Sequence, residues 1–331
     1  MSYKITRNDI NIFYDKNETR DNNDSNNKIR ENIISDIINK KIPDRYYRNK
    51  RWKELKNKLE LYIEKLSEKI GIEQIENIYC EKKAGRCNNY DFEITINNNH
   101  KIKVEFKFGT SSLYGAPQFS SPMCPSKYLK SDVDTEIIFK SFEEYLYDTY
   151  LIKIAEYGKL EIPNKDEYCK KIHSNKVECM KFFKEKYKNN KKFKDYCKKM
   201  DKKGISEYIK ITEINKEELS NYLIESQKDK HYMCYKDGEF YYDKINENIL
   251  KIKNIIKKEN TNYIYETESG MKLEIKLRFK NGCGLLFPAF QIKRKVPLIK
   301  ELKEICKKNN INSSGLKKNI MKRLDVAGII Y

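Results

Sequence analysis

The stretch YDFEITINNNHKIKVEFKF, residues 90–108, decides the fold. Phe92, Ile94 and Ile96 alternate along its first half, and Ile102, Val104, Phe106 and Phe108 along its second. Such alternation marks two strands, each with one buried side. Asn97-Asn98-Asn99-His100 between them reads as a hairpin turn. Burying the apolar set together puts Asp91, Glu93, Glu105 and Lys107 on the opposite face. A three- or five-residue loop would set Asp91 across from Lys107 or Glu105 respectively, and either register gathers carboxylates and one lysine on one surface.

Outward from the hairpin, residues 76–82 read as a preceding strand. Residues 51–70 read as an amphipathic helix, with Trp52, Leu55, Leu59, Tyr62, Ile63, Leu66 and Ile70 at helical spacing and Gly71 as its stop. Residues 15–28 are polar and low in complexity and read as a loop, with a helix over 29–39 that ends near Pro43. A helix is expected over 141–157, and one or two basic helices over 165–203. There Phe182, Phe183, Tyr187, Phe193 and Tyr196 recur among lysines, the pattern of a buried aromatic face and a solvated basic one that could still bind phosphate. Strand character returns at 263–268, 271–279 and 284–292, with turns at Ser269-Gly270 and Asn281-Gly282.

Charge narrows the partners. The 331 residues carry a formal net charge of +19. Residues 165–203 hold 15 basic and 6 acidic side chains, and residues 291–324 hold 11 and 2, so these two segments supply 18 of the 19 charges. A uniform compositional bias toward lysine would spread the charge more evenly, so the clustering favours a polyanionic partner. Nine cysteines with no CxxC pair, and no apolar secretory stretch at the start, suggest free thiols in an intracellular reducing compartment, cytoplasm or nucleus. Cys169, His173, Cys179 and Cys197 have no spacing expected of a structural zinc site. No apolar run approaches a membrane span. Walker A, GxGxxG and HExxH motifs are absent.

Two carboxylates beside a lysine suit phosphodiester hydrolysis. Carboxylates can hold Mg²⁺ without stripping all its water, and a lysine can orient the attacking water and offset charge in the transition state. The E-x-K spacing alone is weak, since Glu274-Ile275-Lys276 repeats it. Its context is the stronger argument: a helix, a strand, a strand opening on Asp91, then a strand carrying Glu105-Phe106-Lys107, with Gly85-Arg86 and Gly109 shaping the ends.

That order resembles the core of the PD-(D/E)XK nucleases, although Asn89-Tyr90 stand where the motif's proline would be. The resemblance implies an α/β (α+β) restriction-endonuclease-like mixed sheet flanked by helices. It implies that Asp91 and Glu105 bind Mg²⁺, with Mn²⁺ as a substitute, and that Lys107 positions the nucleophilic water. Some members add a glutamate from the preceding helix, for which Glu60 and Glu64 are candidates. Glu93 and Gln118 are further candidates at the site, and Lys280 and Gln291, in the later stretch 277–293, are candidate DNA contacts.

Residues 298–324 place Leu298, Leu302 and Ile305 on one helical stripe, then Ile311 and Gly315, then Ile320 and Leu324 on a second. The spacing resembles the SAP motif, with Gly315, Lys317, Ile320, Arg323 and Leu324 at its positions and Asn310 replacing a glycine. The resemblance implies a helical hairpin that binds DNA through Lys317, Lys318 and Arg323, chiefly at phosphates. The expected organisation is therefore an N-terminal, partly flexible segment 1–44, a nuclease domain 45–295 with a basic helical insertion at about 141–230, and a SAP-like module 297–331. The expected function is restriction-like or repair-like cleavage of duplex DNA by a protein that could act as a homodimer. The alternatives are a catalytically inactive DNA-binding scaffold and an RNA-directed nuclease.

Overall fold

The computed structural model describes residues 4–15, 20–83, 88–113, 115–116, 118–131, 141–173, 180–280, 286–327 and 329. Gly85-Arg86, Asn281-Gly282, Cys87, Cys179 and Cys283 lie outside the described residues. In chain order the elements are α1 (Arg20–Ile38), α2 (Lys50–Lys69), β1 (Ile78–Lys82), β2 (Phe92–Ile96), β3 (His100–Phe108) and β4 (Leu129–Ser131). Then come α3 (Phe142–Leu146), a π-helical turn (Tyr147–Leu151), α4 (Ile152–Gly158), α5 (Lys165–Lys171), α6 (Met180–Asn189), α7 (Lys191–Lys210), β5 (Thr212–Ile214) and α8 (Lys216–Gln227). The chain ends with β6 (Lys230–Lys236), β7 (Glu239–Asp243), β8 (Ile252–Glu259), β9 (Asn262–Thr267), β10 (Lys272–Phe279), β11 (Pro288–Arg294), α9 (Ile299–Lys308) and α10 (Lys317–Val326). The mixture of helices with mixed sheets is an α+β architecture, as expected.

The chain divides into two compact units, residues 1–117 with 226–246, and residues 118–225 with 247–331. These differ from the boundaries expected from the sequence. Residues 1–44 belong with the first unit because Ile10, Phe13, Ile33, Ile34, Ile37 and Ile38 are buried in its core. The helix expected over 29–39 starts earlier, at Arg20, so that part of the polar stretch 15–28 is helical rather than loop.

The first unit is built on a five-stranded sheet in the order β1-β2-β3-β6-β7. Only β3 and β6 run parallel; the other neighbours are antiparallel. The apolar face of the β2–β3 hairpin is buried as its alternation predicts, and α1 and α2 supply the facing residues, from Ile33 to Leu66. Strand β6 escapes detection by alternation because Lys230 to Tyr235 are all buried, which is the signature of a strand covered on both sides. At the sheet's β1 edge, Asn39 at the end of α1 closes two hydrogen bonds with Cys80, its Nδ2 donating to the carbonyl and its Oδ1 accepting the N–H, both at 2.8 Å. One side chain thus satisfies main-chain groups that an open edge would leave to water.

The second unit holds the antiparallel sheet β11-β10-β9-β8, the short β4–β5 pair and the helices α3 to α7. The expected helix over 141–157 is present, but it is interrupted by the π-helical turn. Of the aromatic face expected between the basic helices, Phe183 and Phe193 are buried, together with Cys197, whereas Tyr187 and Tyr196 are half-buried and Phe182 is exposed, because it lies one position off the stripe that Phe183 begins. At the C-terminus α9 and α10 pack through Leu302, Cys306, Ile320 and Leu324. Asn310 and Gly315 take the left-handed backbone, with φ of 53° and 88°. Leu298 departs from the expected stripe: it is the N-cap of α9, extended and exposed, and Cys306 takes the buried place instead.

Replacing Asn39 by Ala removes both hydrogen bonds to Cys80. It should destabilise the first unit by roughly 1–3 kcal/mol, read as a lower urea midpoint, with no loss of helical circular dichroism in native buffer.

Candidate active site

The hairpin settles which side chains meet. Ile96 pairs with His100 and Phe92 with Val104, across a turn at Asn97–Asn99 in which Asn97 and Asn98 both have positive φ. One further step along this register sets Asp91 opposite Glu105. Of the two pairings open from the sequence, the Glu105 one is therefore realised, although with a three-residue connection rather than five.

Asp91 is held by its own main chain. Its N–H donates to the Val104 carbonyl at 3.0 Å, and its carbonyl accepts from Lys83 at 2.8 Å. Its Oδ2 accepts the Phe106 N–H at 2.8 Å. The aspartate side chain therefore occupies the next hydrogen-bonding position along β3, just past the end of β2, and its carboxyl is carried to the point where Glu105 and Lys107 emerge.

Glu105 sits between two lysines. Lys107 donates to Oε1, and Lys230, at the start of β6, donates to Oε2 at 2.6 Å. Lys230 also donates to the Asn89 carbonyl at 3.0 Å, and its side chain is only 3% exposed. Parallel pairing of β3 with β6 brings this second lysine in from 125 residues away. Nothing local in the sequence marks it.

The charges respond to this crowding. Burial raises the Asp91 carboxyl to about 6, with the charge of Glu105 adding to the rise and the Phe106 N–H, Lys107 and Lys230 opposing it. Burial would raise Glu105 as well, but Lys107 and Lys230 outweigh it and hold its carboxyl below the ordinary range. Burial works against the charged form of both lysines. For Lys107 the attraction of Glu105 and Asp91 prevails and raises its ammonium, whereas for Lys230 burial prevails and lowers it.

A third carboxylate reaches this field. Burial raises Glu31 of α1 to about 7, with the charge of Asp91 as the second cause and Lys82 and Lys28 opposing. Glu31 was not among the candidates read from the sequence, because the helix glutamate was sought on the helix directly before the strands, and the packing of the earlier helix α1 on β1 is not marked locally. Its neighbour Arg30 is fully buried, with its guanidinium 3.4 Å from the Phe108 ring centroid and two donors on the Ile12 carbonyl, which fixes the rotation of α1 at this point.

The other expected residues lie elsewhere. Glu60 and Glu64 are exposed on α2, and Glu60 pairs with Lys56. Glu93 faces Lys83 at 3.6 Å and Lys101 at 4.0 Å. Gln118, Lys280 and Gln291 belong to the second unit, where Gln291 accepts from Arg278 at 2.7 Å. The repeated motif at Glu274 has no such surroundings, since Glu274 pairs with Lys293 at 3.1 Å and Lys276 is exposed. In the helical pair Lys318 is exposed and Lys317 half-buried, whereas Arg323 donates to the Ser314 carbonyl and so closes the turn between the helices. Lys300, Lys303 and Lys307 of α9, with Glu304 among them, line a groove with Asn310 and Asn312, a net basic surface that the motif does not include. His173 pairs with Glu143 at 3.0 Å.

Among the described residues no three His, Cys, Asp or Glu side chains are grouped closely enough to form a metal site by themselves. The donor chemistry at Asp91 nevertheless fits a hard divalent cation. The two half-buried carboxyls of Asp91 and Glu31 are raised by loss of solvent and by like charge, which is the penalty that a bound cation relieves. Comparison of the chain with protein-family models, with curated proteins and with solved structures finds no match.

The raised carboxyl of Asp91 has a definite consequence for stability. A carboxyl whose pKa is higher folded than unfolded costs stability above its folded value, and the cost fades as pH falls toward the unfolded value. Asp91→Asn should therefore melt at a higher temperature than the parent protein at pH 8 in EDTA. The difference should shrink between pH 6 and pH 4, the window set by the Asp91 values of about 6 folded and 3.8 as the reference.

Proposed function

We propose that the protein is a metal-dependent nuclease of the PD-(D/E)XK kind that hydrolyses phosphodiester bonds in DNA. The observation that carries this reading is the convergence of Asp91 and Glu105 from adjoining strands, with Lys107 beside them. The mixed order β1-β2-β3-β6-β7, with the acidic pair on its central hairpin, supports the restriction-endonuclease-like fold that the resemblance implies.

In this reading Asp91 and Glu105 hold Mg²⁺ or Mn²⁺, and Glu31 is the helix glutamate that completes the set in place of Glu60 or Glu64. The cation, when bound, polarises the phosphoryl oxygen and stabilises the leaving oxygen. The chain's own residues do the rest. Asp91 is aimed by the Phe106 N–H, so its second oxygen is available. Each Glu105 oxygen keeps a lone pair beyond the one its lysine takes, and Lys107 holds and orients the attacking water and offsets the charge that builds on the phosphoryl group. Lys230 stays anchored to the Asn89 carbonyl and keeps Glu105 in place. The helical pair α9–α10 adds affinity through Lys317, Lys318 and the lysine groove of α9, by phosphate contacts that carry no sequence information. Among the described residues no helix is long and apolar enough to cross a membrane.

One observation favours the scaffold alternative: both oxygens of Glu105 are engaged by lysines, an arrangement that is complete without a cation. Cleavage of plasmid DNA separates the two readings. The parent protein should cut with Mg²⁺ or Mn²⁺ and not with EDTA. Lys107→Ala should lower the rate by roughly 100-fold or more, with DNA binding retained. Binding without cutting under any of these metals would leave the scaffold, and cutting of RNA alone would give the RNA-directed enzyme.

A further inference from the structure

Helices α6 and α7 of the second unit carry much of the chain's unbalanced charge. Lys188, Lys191, Lys192, Lys198, Lys199 and Lys202 are exposed, and among the described residues no side chain forms an ion pair or hydrogen bond with any of the six ammonium groups. The same two helices carry only four acids, Glu185, Asp195, Asp201 and Glu207, and Lys203 pairs with the last of these.

Beside this charge stands an aromatic stack. Tyr157, at the end of α4, lies flat against Tyr196 of α7, with ring centroids 3.9 Å apart and planes 13° apart. Phe193 continues the series, nearly parallel to Tyr157 at 6.4 Å. Gly158 makes this approach possible, because a Cβ there would lie 2.6 Å from the Phe193 ring. Phe193 is buried, but Tyr157 is 49% exposed. On α7, Lys192 and Lys199 are four residues before and three after Tyr196, so they flank it on the same helix face. An aromatic stack built into the fold, left open on its outer ring and bordered by unpaired lysines, is more than a solvated basic face requires. Unpaired bases stack on such rings whatever their sequence, while the lysines follow the backbone.

We propose that the Tyr157–Tyr196 stack and the flanking lysines of α6 and α7 form a binding surface for single-stranded nucleic acid. The surface stands apart from the metal-dependent chemistry. A protein that cuts nothing can still bind there, and an active nuclease can lack such binding.

The test uses the full chain in EDTA, with fluorescence anisotropy of a labelled oligothymidylate of roughly 20 nucleotides, longer than one site, and of a labelled duplex of the same length. Tyr157→Ala should weaken single-strand binding by roughly fivefold or more and leave duplex binding unchanged, while Tyr157→Phe binds like the parent. Lys192→Ala with Lys199→Ala should reduce the salt dependence of single-strand binding by a slope of about 1.4. If Tyr157→Ala lowers the melting temperature, Tyr157→Leu, which keeps an apolar side chain against Tyr196, takes its place. Single-strand binding unchanged on loss of the ring, or an equal loss for single strand and duplex, would overturn the proposal. So would an unchanged salt slope in the double lysine variant.

Discussion

Glu105 stands between two lysines because its own strand β3 carries Lys107 and pairs in parallel with β6, which carries Lys230. The antiparallel neighbour β2 brings Asp91, and the parallel neighbour β6 brings Lys230. A carboxylate this buried would carry a large desolvation cost if it were unpaired, and each lysine would carry its own. Pairing all three makes the ionised state tolerable, so the charge cluster and the strand order depend on each other. Any rearrangement that separated β3 from β6 would leave a buried charge without its counterion.

Asp91 and Glu31 are the exception to that balance. They gain no comparable counterion, and burial with like charge raises both carboxyls toward neutrality. The site is thus compensated on the Glu105 side and frustrated on the Asp91 side. The Phe106 N–H fixes the Asp91 carboxyl, and the buried Arg30, on the Phe108 ring and the Ile12 carbonyl, fixes the turn of α1 that carries Glu31, so neither carboxyl escapes this strain by moving into water. The second unit has a different problem, an excess of positive charge. There Phe183, Phe193 and Cys197 of α6 and α7 are buried, while Lys192 and Lys199 stay exposed and Tyr157 stays open. The two units therefore differ in chemistry, with acids confined in one and bases displayed in the other.

Much of this was legible from residues close together in the chain. The period-two alternation of Phe92, Ile94 and Ile96 against Ile102, Val104 and Phe106 assigned the buried face and, by parity, the face bearing Asp91, Glu105 and Lys107. The left-handed turn at Asn310 and the helices on either side of it were equally local, since backbone preference and short-range packing decide them. The failures have physical reasons too. Helix α1 begins in a stretch so polar that its early residues show no periodicity, and its apolar face appears only from Ile29 onward. Leu298 fitted a helical stripe, but as an extended N-cap it points its side chain to water.

What the amino-acid order determined by itself is the content of the hairpin: which side chains alternate, which face is buried, and that carboxylates and a lysine share the other face. Tertiary structure alone decided what joins them. Lys230 arrives only because β6 pairs with β3 across the excursion of the second unit, and Glu31 only because α1 packs on β1. Glu60 and Glu64, nearer to the hairpin in sequence, stay in water on the outer face of α2. Local patterns record which side of an element is apolar, whereas the meeting of charges from distant elements is settled by the packing of apolar faces, and no short window of sequence contains that information.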